Sequence, residues 1–277
     1  MPALGELAKS RTNIAALNAL SALDQINKRL NFTNLRLSTG KRINSAADDP
    51  SGLTLSSSLD LRSRKLGAAI NNIGDATSVL SIAESGLSNI NGILATLTEK
   101  ITLAQSDTQG ASERSAIFQE LNQLGEEIDS LSTQTQFNGV VLLTAATLTF
   151  STGPDSVDTN RFTLAHAFTS AALGVSSLTV ATNSLASLSL GSVGVAVSSI
   201  KTALQSVGAL LQRLAVKADN LAVAKLNVTA AASRILDADL ATEQVEASKL
   251  QILQQTATSQ LAAANASPAS ILSIFRR

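Results

Sequence analysis

The sequence predicts a mainly α fold: an elongated, antiparallel, coiled-coil-like helical rod with discontinuous N- and C-terminal halves packed together and a small β-rich tip. Two long apolar rows predict the rod. Leu59, Arg62, Leu66, Ala69, Ile73, Ala76, Leu80, Ala83, Leu87, Ile90, Leu94, Leu97, Ile101 and Ala104 alternate steps of three and four with one polar member, the period of a helix that buries one stripe. Ile200, Leu204, Val207, Leu211, Leu214, Ala218, Leu221, Lys225, Val228, Ala232 and Ile235 repeat that row after a gap. Composition is the third observation. Aromatics are 3%, Trp and Tyr are absent, and small residues dominate, which suits close contact between long helices better than a thick globular core.

Taken in order, residues 1–11 hold Pro2 and Gly5 and little periodicity, so they are expected to be mobile in a free subunit. A first helix follows with Ala16, Leu23, Leu30 and Leu37 in one seam row and Asn13, Leu20, Asn27 and Asn34 in a second. Asparagine in a seam fixes register when it finds a partner, and otherwise faces water; the sequence leaves both open. Gly40 can take the positive backbone angle that ends a helix, Asp49 can cap the next, and Pro50 has no amide to lose at a first helical position. Those three residues set a joint. The long second helix would reach roughly 70 Å. After a break at Asp107–Gly110, Ile117, Leu121, Leu124, Ile128 and Leu131 predict a shorter helix that folds back along it.

Phe137-Asn-Gly139 predicts a turn. Leu148-Thr-Phe150 and Arg161-Phe-Thr-Leu164 alternate about Gly153-Pro-Asp155, which predicts a β-hairpin. The Ser-, Gly- and Val-rich run from Leu173 to Val197 reads as strand or loop. The returning helix is expected from Ile200, and a final one carries Leu236, Leu240, Ala247, Leu250, Ala257, Leu261 and Ala264 until Pro268 ends it near Ile271–Phe275. The domain expectation is terminal coiled-coil segments at 1–45 and 240–277, a helical rod at 46–143 and 195–239, and a β-rich surface insertion at 144–194.

Chemistry is sparse. Net charge is zero with 21 basic and 21 acidic residues, so neither nucleic acid nor an anionic membrane is expected as a partner. Cysteine is absent, which removes disulfides, a thiol nucleophile and thiolate metal ligands. The first 30 residues lack a basic start followed by a continuous apolar core, and no run approaches 18 uninterrupted apolar residues, so neither a cleaved signal nor a membrane span is expected. His166 is the only histidine, too few for a triad or a multi-histidine metal site. Asp48 and Asp49 look like a capping pair. Asp237, Asp239, Glu243 and Glu246 could hold a cation in principle, but salt bridges to Arg or Lys on neighbouring helices are favoured because no calcium loop is present. Asn31-Phe-Thr33 and Asn227-Val-Thr229 fit the glycosylation pattern inside expected helices, where they carry little weight. No phosphate loop or dinucleotide fingerprint appears; no catalytic residue, metal or cofactor is expected, and an enzyme is disfavoured.

Four ordered stretches carry a resemblance: Arg36-Leu-Ser-Thr-Gly-Lys-Arg-Ile-Asn-Ser-Ala-Ala-Asp-Asp-Pro-Ser-Gly52, Ala83-Glu-Ser-Gly-Leu-Ser-Asn-Ile-Asn91, Gln134-Thr-Gln-Phe-Asn-Gly139, and Ser233-Arg-Ile-Leu-Asp-Ala-Asp-Leu-Ala-Thr-Glu243 continuing to Lys249-Leu-Gln-Ile-Leu-Gln-Gln255. The chain resembles bacterial flagellins over roughly residues 11–143 and 200–277. That resemblance implies a helical homopolymer in which the two chain ends pair and line the filament's inner core, while any outer domain is inserted in the middle. It implies secretion without a cleaved signal through the flagellum's own type III export channel. It also implies a flagellin export chaperone, and hook-filament junction and cap proteins, as partners. Leu23, Leu30, Leu37, Leu250, Ile252 and Leu261 are the expected assembly interface, and Gly40, Asp49 and Pro50 the joint between layers.

Two alternatives share parts of this reading: the hook-filament junction protein of the same architecture, which the Ser45–Gly52 and Gln251–Gln255 stretches resemble less, and a surface binding protein presenting the 144–194 tip. Flagellins sensed by the animal Toll-like receptor offer an Arg with a Leu one turn later, and a Glu on the returning helix. Those places fall here at Thr96, Lys100 and Glu120, so receptor recognition is expected to be weak.

Overall fold

A computed structural model describes residues 12–145, 147–155, 158–163 and 167–274. Residues 1–11, Leu164, His166 and Phe275, which figure in the sequence reading, lie outside the described residues. The elements are α1 (Ile14–Thr39), α2 (Pro50–Ala104), α3 (Ala111–Gln134), β1 (Gln136–Phe137), β2 (Val140–Val141), β3 (Thr147–Ser151), β4 (Thr159–Thr163), α4 (Asn183–Leu236) and α5 (Leu240–Ile274). They fall into two compact units: residues 1–61 with 228–277, and residues 62–227. The fold is mainly helical with a small β portion.

The core of the 62–227 unit is the three-four row of α2. Every member from Leu66 to Ala104 is buried, and those from Ile73 onward cluster with Leu121 and Ile128 of α3 and the α4 row Val193, Ala196, Ile200, Ala203, Val207, Leu210 and Leu214. Burying a Leu or Ile side chain contributes about 1.5–3 kcal/mol, so a row of this length decides the fold of helices whose own propensity is weak. Leu59, at the head of the row, is half-buried, and Arg62 is exposed. Lys100 pairs with Glu120 and the Gln105 side chain with Ser187. A Cβ at Gly86 would meet Thr135, and one at Gly67 would approach Lys225, so α3 and α4 both run antiparallel to α2. By length and composition α4 could cross a membrane; its row within this core is that of a helix packed in protein.

Asn138 and Gly139 both have positive φ and turn the chain between β1 and β2, a pairing the sequence reading left as a bare turn. The expected hairpin forms as β3 and β4, antiparallel, with Leu148 opposite Phe162 and Phe150 opposite Asn160.

Three expectations need correction. The run from Leu173 to Val197 is not strand or loop throughout, because α4 begins at Asn183, 17 residues before Ile200. Residues 183–194 therefore belong to a helix and not to a β-rich insertion. Ser, Gly and Val hide the helix in composition, while Ala186, Ser189 and Val193 extend the buried row in register. The second seam row of α1 is Ala19, Ile26 and Thr33, one residue before Leu20, Asn27 and Asn34; Leu20 and Asn34 are exposed, and Asn27 stays half-buried at the edge of the seam. Finally, α5 continues through Pro268 to Ile274, since a proline removes one ladder bond and can bend a helix without ending it.

Candidate assembly interface

Within the terminal unit α1 and α5 lie side by side and antiparallel. Three long-range contacts run in opposite order along the two helices. Asn13 Nδ2 donates to the Ala264 carbonyl at 2.7 Å, Gln254 Nε2 donates to Asn27 Oδ1 at 2.7 Å, and Arg36 meets Glu243 at 3.1 Å. Asn13 also caps its own helix, its side-chain oxygen accepting from the Ala16 amide. Asn13 and Asn27 thus sit in the seam with partners and fix its register, whereas Asn34 faces water.

Between the polar pins the seam is apolar. Leu23, Leu30 and Leu37 on α1 and Leu261 on α5 are half-buried, and Ala247 and Leu250 are buried. Five of the six residues expected at an assembly interface are therefore brought together inside one chain. Ile252 is not: at 64% exposure it points away from the seam. Its alternation with Leu250 resembles a strand's two faces, but a helix turns about 200° over two residues.

The joint is built from short-range hydrogen bonds. Gly40, at φ 69°, closes α1 with its amide on the Arg36 carbonyl. Asp49 Oδ1 accepts from the Gly52 amide at 2.9 Å, capping α2 ahead of Pro50. Asp48 caps no helix; its Oδ2 accepts from the amides of Asn44 and Ser45 and closes the spacer. These amides hold both carboxyls below their ordinary pKa, chiefly through Asn44 for Asp48 and Gly52 for Asp49. A Cβ at Gly52 would run into the Asp49 carboxylate and the tip of Ile43, so a larger residue there would displace the capping side chain. The spacer is tied to the other chain end by the Arg42 amide on the Leu236 carbonyl and the Ala238 amide on the Gly40 carbonyl, at 2.7 and 2.9 Å.

The four acids near residue 240 divide their work. Glu243 bridges to Arg36 and Glu246 to Lys249 on its own helix. Asp239 caps α5 through the amides of Ala241 and Thr242, and Asp237 accepts from the Ser233 hydroxyl. Asp239 is a cap and Asp237 a hydroxyl acceptor, and among the described residues neither forms the salt bridge expected of it. Among the described residues no acidic or histidine cluster could hold a metal.

What the terminal unit offers is surface. Leu17, Phe32 and Leu35 of α1 and Leu240, Val245 and Ile252 of α5 are exposed, Val245 at 70% and Phe32 at 51%. Beside Phe32 a groove of about 450 Å³ is lined by Arg29, Thr33, Arg36, Thr242, Glu243, Glu246 and Leu250. Arg36 Nε there is buried without a partner among the described residues. Sequence reasoning missed the outward set because it searched for the seam; Val245 and Ile252, one heptad apart and off the seam row, were the available signal.

The remaining expected residues lie in the other unit. Lys100 Nζ is 2.6 Å from Glu120 Oε1, both part-exposed. The Thr96 hydroxyl donates to the Gly92 carbonyl one turn back.

Long helices, terminal helices paired through a seam and large apolar side chains left exposed on that pair define a structural, self-associating protein. The sequence matches the family models for the bacterial flagellin N-terminal helical region over residues 11–147 and the bacterial flagellin C-terminal helical region over residues 190–275. It is 31% identical to flagellin FlaB1 of Treponema pallidum over 95% of this chain and 98% of that one, and 32% identical to a flagellin of Halalkalibacterium halodurans over 87% and 90%. A solved Vibrio parahaemolyticus chain, provisionally described as a flagellar hook-associated protein, shares the fold at TM-score 0.57 and 13% identity over 69% of this chain and all of that one. This chain belongs to the bacterial flagellin family and is a structural subunit of the extracellular flagellar filament. Neither the junction protein nor the surface binder is favoured by these relatives.

Proposed function

We propose that the subunit polymerises through the outward apolar side chains of its α1–α5 pair, Val245 and Ile252 on the back of α5 and Phe32 on the flank of α1. Leu23, Leu30, Leu37, Leu250 and Leu261 serve that interface from behind by holding the pair together. The supporting observation is the exposure of large apolar side chains on helices whose inner seam is already filled; a face of that kind calls for a partner. The contacts are heterologous, since only head-to-tail contacts continue into an open filament. Gly40, Asp49 and Pro50 set the joint between inner and outer layers. Family membership further supports export through the flagellum's own channel with a flagellin export chaperone, and contact with junction and cap proteins at the filament ends.

Seeded elongation of Val245→Asp/Ile252→Asp tests this reading. A charge without a partner in a buried contact costs several kcal/mol, so elongation should fall at least a hundredfold while the circular dichroism of the free subunit stays that of the parent. Elongation at the parental rate would remove the proposal.

A further inference from the structure

α4 carries a second apolar row outside the core. Leu188, Val195, Val216 and Val223 follow heptad spacing, with Thr202 and Ala209 between them, and all six are exposed, Leu188 at 69% and Val195 at 68%. Exposed helix positions ordinarily favour unbranched helix formers, and valine loses side-chain freedom there. Three valines in one exposed row are explained by a contact that the single chain does not make.

α2 of the same unit has a complementary outer face. Ser78, Ser81, Ser85, Ser88, Gly92 and Ala95 follow steps of three and four on the side away from the core, and all are exposed. Gly74 continues that line, and a Cβ added at Gly74 or Gly92 would meet nothing within 4 Å. Packing inside the chain therefore does not require glycine at either position, although each costs a helix stability relative to alanine. The charges match as well. Between residues 67 and 99 the ionisable residues are Asp75, Glu84 and Glu99, with no base; between 188 and 226 they are Lys201, Arg213, Lys217 and Lys225 against the single acid Asp219. Neither Asp75, Glu84, Glu99, Lys201 nor Lys217 has an ion-pair partner among the described residues.

We propose that the α4 outer row of one subunit seats on the small-residue face of α2 of a second copy of this chain, with the lysines beside the row meeting the acids beside the face. Small residues let a helix ridge approach closely, and opposite charge fixes which face meets which. Ridge and groove lie on different helices of one subunit, so the contact is heterologous and repeats from copy to copy. It is a second interface, independent of the terminal helices, and rests on the filament subunit reading only in taking a second copy as the occupant.

The cysteine-free sequence makes the test clean. In filaments grown from Val195→Cys, maleimide labelling should be at least tenfold slower than in free subunits, whereas Gln123→Cys, exposed on α3 and on neither face, should label alike in both. Filaments of Val195→Cys paired in turn with Ser78→Cys, Ser85→Cys or Ser88→Cys should give a ladder of disulfide-linked oligomers on oxidation for at least one pair, and free subunits none. Equal labelling of Val195→Cys in filament and subunit, or no ladder from any pair, overturns the contact while leaving assembly through the terminal helices in place. Should the cysteine variants fail to elongate, Lys201→Glu/Lys217→Glu decides. Elongation at the parental rate overturns the proposal, and a tenfold loss restored by adding Glu84→Lys/Glu99→Lys supports it.

Discussion

Asp48 and Asp49 are half-buried side chains whose charge is committed to the backbone around them. Each accepts amide hydrogen bonds that exist only in the folded joint, and each carboxyl is held below its ordinary pKa. A depressed native pKa means that the stability contributed is present above the unfolded value and is lost as pH falls through the native one. Acidification from neutral to below about pH 4 should therefore loosen residues 43–53 before the 62–227 core. Hydrogen exchange referenced to intrinsic rates should show protection of the Asn44, Ser45 and Gly52 amides falling first, and Asp48→Asn should remove part of that pH dependence. Uniform loss across both units would contradict it. Receptor recognition is likewise a matter of single side chains. Lys100 and Glu120 neutralise one another at 2.6 Å, so the acid that resemblance assigns to the receptor is already engaged, and Thr96 lacks the planar donor fork of an arginine. Losing such an anchor costs about 2 kcal/mol, roughly thirtyfold in affinity. In a reporter assay the protein should need at least that much more than a strongly sensed flagellin; equal potency would refute the assignment.

At the scale of an element, α1 and α5 separate two kinds of leucine and isoleucine that look alike in the sequence. Leu30 and Leu250 lie in the seam, and Ile252 lies outside it. Leu250→Ala, which opens a cavity in a thin contact, should cost about 2–5 kcal/mol, and Leu30→Asp more. Both should lower the helicity of the free subunit, read by far-ultraviolet circular dichroism, whereas Ile252→Asp should leave it unchanged. A Leu30→Asp subunit with parental helicity would show that the seam does not hold the pair. The α2 row was legible because every member but Arg62 is apolar and the period never slips. The first 17 residues of α4 were not, since Gly191, Gly194 and four serines within Asn183–Ser192 give a local preference that tertiary burial of Ala186, Ser189 and Val193 overrides. Seam register in α1 was misjudged by one position because steps of three and four fit the asparagines equally well; only the partner helix decides between them.

For the molecule as a whole, the 62–227 unit carries a large apolar cluster, while the terminal unit holds its two long helices through a thin seam. The buried rows of α2, α3 and α4 from Ile73 to Leu214 form one apolar cluster. The terminal pair, by contrast, has few fully buried side chains, chiefly Thr33, Ala247 and Leu250, and a two-helix contact of that thickness is marginal in isolation. Removing residues 1–40 and 240–277 should therefore leave a folded, helical, soluble fragment whose melting temperature lies within a few degrees of the main transition of the full chain. That fragment should not elongate on filament seeds at any concentration at which the full chain does, because the face around Val245 and Ile252 is gone. Calorimetry and seeded growth read the two halves of the statement separately. A fragment that unfolds would mean that the 62–227 core depends on the ends, and a fragment that elongates would move the essential contacts of the filament out of the terminal helices and onto the α2 and α4 faces.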